Sequence, residues 1–149
     1  MDAAPTPVSS DLGLLTWSSI DISSYNAFTF SFYVAEDQSG DGNEDWDQDS
    51  YLKVYYNIDG GSNITIFEVQ AAATGSNSEP RVDTDYDGLG DGTSITDAFQ
   101  QFSSSFSASG SSMNLYVEVY MLDAGDEDIS FDDIKLEGSS STNTCSCLL

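Results

Sequence analysis

Clustered carboxylates are the feature of this sequence most suggestive of chemistry. Asp83, Asp85, Asp87 and Asp91 stand in the run DTDYDGLGDG, which opens with the spacing D-x-D-x-D-G. Calcium takes about six to eight oxygen ligands, and carboxylates alternating with small residues let several side chains converge on one ion. Ser94 stands where an EF-hand would carry its closing Glu, and no helix pattern precedes the run. It therefore reads as a calcium loop of another kind, or else as an acidic Gly-rich turn between strands. A second run, residues 36–49, places Asp37, Asp41, Asn43, Glu44, Asp45, Asp47 and Asp49 in one inter-strand loop. Such crowding costs repulsion unless a cation joins the carboxylates. A third group holds Asp123, Asp126, Glu127, Asp128, Asp132 and Asp133. There the alternation breaks around Asp132 and Asp133, so one of the two either turns inward to an ion or lies on an exposed strand edge.

The whole chain shares this bias. Its 149 residues include 26 Asp and Glu against 3 Lys and Arg, with no His and a net charge of −23. That field repels nucleic acid and anionic membrane surfaces, and three cations are too few to track a phosphate backbone. Acidity serving solubility alone would be spread evenly, whereas here it is concentrated in loops. Without His, and with thiols only at Cys145 and Cys147 in a Ser-rich end, the ligand set is hard oxygen, which suits calcium and not transition metals. The same absences remove Ser-His and Cys-His nucleophile systems. Glu68 and Glu118, both within predicted strands, are the candidate carboxylate pair for glycoside hydrolysis, but so many acids make some pair inevitable. The chain is expected not to be an enzyme.

Aromatic residues give the second kind of chemistry. Tyr33, Tyr51, Tyr55, Tyr116 and Tyr120 fall on the polar phase of predicted strands, together with Lys53, Asn57, Asn114 and Glu118. Sugar rings stack on aromatic faces, while carboxylates and amides bind their hydroxyls; strand propensity alone also enriches Tyr on sheets. Trp46, inside the acidic loop, is expected to be a stacking residue at the loop tip, and Trp17 to be core.

The elements that must position these residues are strands. Residues 27–34, 51–58 and 113–122 alternate apolar and polar positions, the signature of half-buried β-structure. Asp59-Gly60-Gly61-Ser62 predicts a hairpin turn leading into a strand over 63–69, where a change of phase predicts a bulge or two-sided burial. Further strands are expected from about Leu12, over 102–106 and over 129–136. No helix-length amphipathic segment and no membrane-length apolar run is present. The expected fold is all-β, a two-sheet antiparallel sandwich over residues 12–138, between a leader or linker (1–11) and a Ser-rich tail or linker (139–149).

Leu15-Thr16-Trp17, Ile20-Asp21-Ile22, the stretch YLKVYYNIDGG at 51–61 and the closing ISFDDIKL at 129–136 together resemble jelly-roll modules of secreted bacterial proteins. These include calcium-dependent carbohydrate-binding modules. The resemblance implies a jelly-roll-like sandwich, an extracellular or cell-surface setting, tethering to other domains of a larger chain, and Asp132 as a ligand of a structural calcium. The functional expectation is a calcium-binding module that takes a polysaccharide or cell-surface glycan and does not insert into membrane. The alternative is a structural or adhesive domain stiffened by calcium, without sugar binding.

Overall fold

The computed structural model of the chain describes residues 9–36, 46–75, 78–123 and 127–140. Asp37, Asp41, Asn43, Asp45, Asp126 and both cysteines lie outside the described residues.

Eight strands build the described fold. They are β1 (Ser9–Asp21), β2 (Ala27–Ala35), β3 (Tyr51–Ile58), β4 (Ile64–Ala71), β5 (Pro80–Val82), β6 (Gln100–Ser107), β7 (Ser112–Asp123) and β8 (Ser130–Ser139). A five-stranded sheet runs β1-β7-β3-β4-β5 and a three-stranded sheet runs β6-β2-β8, with every pairing antiparallel. The expected sandwich is thus the observed one. The strand over 102–106 is present and extends two residues N-terminally and one C-terminally as β6.

Alternation in the sequence becomes burial in the structure. Phe28, Phe30, Phe32 and Val34 of β2 turn inward, as do Leu52, Val54 and Tyr56 of β3 and Met113, Leu115, Val117 and Met121 of β7. Aromatic rings join the two sheets. Phe32 meets Phe67 edge-on at 5.1 Å, and Tyr56 stacks on Phe106 at 4.5 Å. Such contacts add to the burial that dominates a β-core. The β3–β4 hairpin turns through Asp59 and Gly60, both at positive φ, with Gly61 N–H donating to the Ile58 carbonyl. The register shifts at Val54/Tyr55, and β4 is buried on both sides from Ile66 onward. The change of phase in residues 63–69 therefore reflects both a bulge and two-sided burial.

Two expectations about tryptophan are corrected. Trp46 is 1 % exposed and belongs to the core, so it is no loop-tip stacking residue. Its ring Nε1–H donates to the Asp128 carbonyl, and its backbone bridges Ser78. Trp17 is 38 % exposed and lies outside the core cluster, because β1 is the edge strand of the wider sheet.

Candidate functional site

The register of β3 against β7 sets Tyr51 opposite Tyr120, Lys53 opposite Glu118, Tyr55 opposite Tyr116, and Asn57 opposite Asn114. Directly opposed residues on adjacent strands share a face and interact. This face is the outer one of the five-stranded sheet, since the intervening residues Leu52, Val54 and Tyr56 fill the core. Eight of the expected ligand-face residues, Asn114 included, therefore form one contiguous patch. Tyr33 does not join them: it lies on β2 of the other sheet, paired with Gln101 and Asp132. Period-two alternation reports which phase is polar but not which sheet a strand enters.

Glu118 organises the patch. Its Oε1 accepts the Tyr51 hydroxyl at 2.6 Å and its Oε2 accepts the Tyr55 hydroxyl at 2.7 Å. Burial, then the hydrogen bond to Glu118 and its negative charge, push the Tyr55 phenol up to about 12, and the same causes push Tyr51 up. Tyr51 stacks on Tyr120 with centroids 5.5 Å apart, and Tyr55 on Tyr116 at 4.8 Å. Lys53 carries its Nζ 4.9 Å from the Tyr51 ring centroid and pairs with Glu68 of β4 at 2.9 Å. Gln70 donates to the same Glu68 carboxylate. Toward the other end, Asn114 donates to Asn57, whose amide donates to Asn63 and to the Tyr116 hydroxyl. On the β1 side, Leu12, Leu14 and Thr16 follow in register with Tyr120, Glu118 and Tyr116.

The sequence reading did not place Gln70, Leu12, Leu14 or Thr16 on this face, and considered Glu68 only as a catalytic candidate. Long-range pairing brings them in. Only Glu68, a polar residue on the strand predicted over 63–69, hinted at it. Glu118 accepts a phenol hydroxyl on each oxygen, an arrangement that fixes an acceptor at the centre of the patch.

Beside this patch lies the acidic loop after β5. Carboxylate oxygens of Asp83, Asp85 and Asp87 fall within 4.8 Å of one another. Asp83 is 1 % exposed, and its oxygens accept the backbone N–H groups of Tyr86 and Gly88. Tyr86 and Gly88 adopt positive φ, which folds the loop back over Asp83. Partial desolvation first, then the charges of Asp87, Asp91 and Asp83, raise the carboxyl of Asp85, itself an exposed residue, above the ordinary range. The like charges among these carboxylates are what a divalent cation offsets, and the donor set is hard oxygen. Asp91 is turned elsewhere: its Oδ1 accepts both the backbone N–H and the hydroxyl of Thr84, which holds its carboxyl low. The loop also meets the tyrosine face. Asp83 N–H donates to the Glu68 carbonyl, and the Tyr86 phenol is raised by burial and by the charges of Glu68 and Asp83.

No protein-family model matches the chain, and no curated protein matches it. A solved structure described as "EclA C-terminal domain; sugar-binding protein" is similar over 91 % of this chain and 84 % of that one, at 15 % identity and a TM-score of 0.41. A likeness so slight carries no argument about this chain's ligand.

Among the described residues, the other acidic candidates fall in two places, before β3 and from the end of β7 into β8. Asp47 and Asp49 lie before β3, where the Asp47 N–H donates to the Glu127 carboxylate. The Ser50 hydroxyl donates to the same oxygen. Glu127, buried, thus clasps the segment before β3 to the β7–β8 connection. Asp132 is exposed on β8, where its Oδ1 accepts the N–H of Asp133, a residue at positive φ beside a register shift. The broken alternation at Asp132 and Asp133 is the sequence trace of that bulge, and neither carboxylate is turned into the core.

Proposed function

We propose that this chain is a non-catalytic module that binds carbohydrate across the outer face of its five-stranded sheet. Calcium at Asp83, Asp85 and Asp87 would hold the adjoining loop in place. The observation that supports this reading is the cross-strand alignment of two tyrosine pairs around a carboxylate that accepts from two phenols. Aromatic rings offer stacking area at low cost in side-chain entropy, and fixed carboxylate and amide groups orient hydroxyl-bearing ligands. Lys53 and Asn114 adjoin the rings with such groups, held by the buried Glu68 and Asn57. The all-oxygen donor set and the mutual repulsion at Asp85 support the cation. The proposed setting is extracellular, where calcium is abundant, with the module tethered in a larger secreted or surface protein.

A second reading has its own supporting observation. Tyr51 is stacked on Tyr120 on one hand and approached by Lys53 on the other, the Asn114 amide donates to the Asn57 oxygen, and the Asn114 oxygen accepts the Ser19 N–H. A face whose rings and amides are so engaged with one another and with their neighbours suits a structural or adhesive domain stiffened by calcium.

The deciding experiment is a polysaccharide array probed in millimolar calcium and again in chelator, with folding checked by near-ultraviolet circular dichroism. Retention of a neutral glycan supports the binding module. A folded protein that retains no glycan in either condition sinks it in favour of the scaffold.

A further inference from the structure

Strand β1 is the longest of the described strands and pairs with β7 alone among them, so no described strand covers its other edge. Free edges of this length are usually guarded by Lys, Pro or inward charge. Here the stretch between Asp11 and Asp21 carries no charge and no proline. Apolar side chains stand on both of its faces. Leu12 and Leu14 are 62 % and 50 % exposed on the outer phase, and Leu15 is 43 % exposed on the inner phase beside Trp17. The inner phase of its neighbour β7 is buried in the core, whereas Leu15 and Trp17 are outside the core cluster, so β1 overhangs the narrower sheet.

We propose that the free edge of β1 is a self-association surface, on which β1 of a second copy of this chain pairs antiparallel to give a continuous ten-stranded sheet. A two-fold axis perpendicular to the sheet keeps the outer faces of both copies on one side. Centred on Leu15, that axis sets Leu15 opposite Leu15, Leu14 opposite Thr16, and Trp17 of each copy opposite Gly13 of the other. An aromatic ring packs well over a cross-strand glycine. Because β1 bulges between Trp17 and Ile20, the regular pairing in this register runs from Gly13 to Trp17, and no carboxylate position lies within it. Local charge thus permits pairing while the net charge of −23 on each copy opposes it. The sign of the salt effect follows: association strengthens as salt screens the two copies, the reverse of an ion-paired interface.

The test is sedimentation velocity of the full chain over a range of concentrations, at low salt and at about 1 M salt, where the screening length falls to about 3 Å. The expected result is a reversible dimer whose population rises with both concentration and salt. Leu15→Lys should leave a monomer under every condition. Gly13→Val guards against misreading a folding defect. A Cβ at Gly13 meets only Val119 at 4.0 Å, ordinary contact, so the monomer tolerates it. The added side chain occupies the space opposite Trp17 of the second copy and should weaken the dimer at least tenfold with no loss of melting temperature. A wild-type monomer at all concentrations and salts overturns the proposal, as does a dimer that survives Leu15→Lys.

Discussion

The Glu118 carboxylate holds the Tyr55 hydroxyl at 2.7 Å across the β3–β7 ladder, and with it the neutral form of that phenol. A phenol ordinarily loses its proton near 10, whereas Tyr55 in the fold does so at about 12. The folded state therefore binds the proton more tightly than the unfolded chain. The resulting stability is fully present below pH of about 10 and is lost as pH rises toward about 12. Glu118→Gln removes the charge and should bring the Tyr55 titration down, though not to the ordinary value, because burial is the larger cause. Tyrosinate absorbance against pH reads this directly, and an unchanged titration would show that burial alone sets the shift.

Sugar binding on this face should depend on its rings. Tyr116→Ala removes the ring that stacks on Tyr55 and the hydroxyl that accepts from Asn57. An aromatic contact is worth about 0.5–1.5 kcal/mol beyond burial, so affinity for a glycan retained on the array should fall about tenfold. Tyr33→Ala, on the other sheet, should leave that affinity unchanged. Titration calorimetry of both variants decides; equal losses would place the ligand elsewhere.

Calcium at the loop after β5 should appear as stability. A ligand present at about 100 times its dissociation constant stabilises the fold by about 2.7 kcal/mol, enough to raise the melting temperature by several degrees. Asp83→Asn and Asp87→Asn should each abolish the calcium-dependent part of the rise. Asp91→Asn should leave most of it, because that carboxylate serves Thr84. A wild-type melting temperature indifferent to calcium and chelator would remove the metal from the account.

Most of the fold could be read in the sequence because period-two alternation states directly which side of a strand is buried. The strands β2, β3 and β7, with their inward Phe, Val and Leu, are cases where local pattern and tertiary burial agree. The two tryptophans show where that reading stops. Trp46 sits among carboxylates and looks like a loop tip, yet the fold buries it with its Nε1–H on the Asp128 carbonyl, a residue 82 positions away. Trp17 alternates with polar neighbours like a core residue, yet β1 overhangs the smaller sheet. Tyr33 fails for the same reason, since nothing local records which sheet β2 joins. The candidate site was legible as two phases of two strands. Its unity comes from the register, and Glu118 as its centre from hydrogen bonds that no spacing rule encodes.

The Glu127 clasp should be a stability element and not a ligand site. Its buried carboxylate accepts the Asp47 N–H and the Ser50 hydroxyl. Glu127→Ala leaves both donors without that acceptor in a buried place, at a cost of about 1–3 kcal/mol. Glu127→Gln keeps an acceptor oxygen and should lose less. Urea unfolding of the two variants measures the difference, and equal losses would show that the charge matters more than the hydrogen bonds.

Docking of the acidic loop onto the sheet should depend on the absence of a side chain at Gly90. Its N–H donates to the Ala71 carbonyl, and a Cβ there would fall 2.5 Å from the Gln70 carbonyl oxygen and 2.8 Å from that of Arg81. Backbone atoms of paired strands cannot retreat as the end of a flexible side chain can, so the loop must lift. Overpacking of this kind costs about 1–3 kcal/mol. Gly90→Ala should therefore lower the unfolding free energy in urea by that amount. It should also weaken the calcium-dependent rise in melting temperature, although it alters no carboxylate. Gly88 differs in kind: its φ of 95° is in the left-handed region, but nothing lies within 4 Å of its missing Cβ. Gly88→Asn, which tolerates that region, should be milder than Gly90→Ala. If instead the Gly88 variant is the worse of the two, the turn over Asp83, and not the loop's seat on β4 and β5, sets the stability of this region.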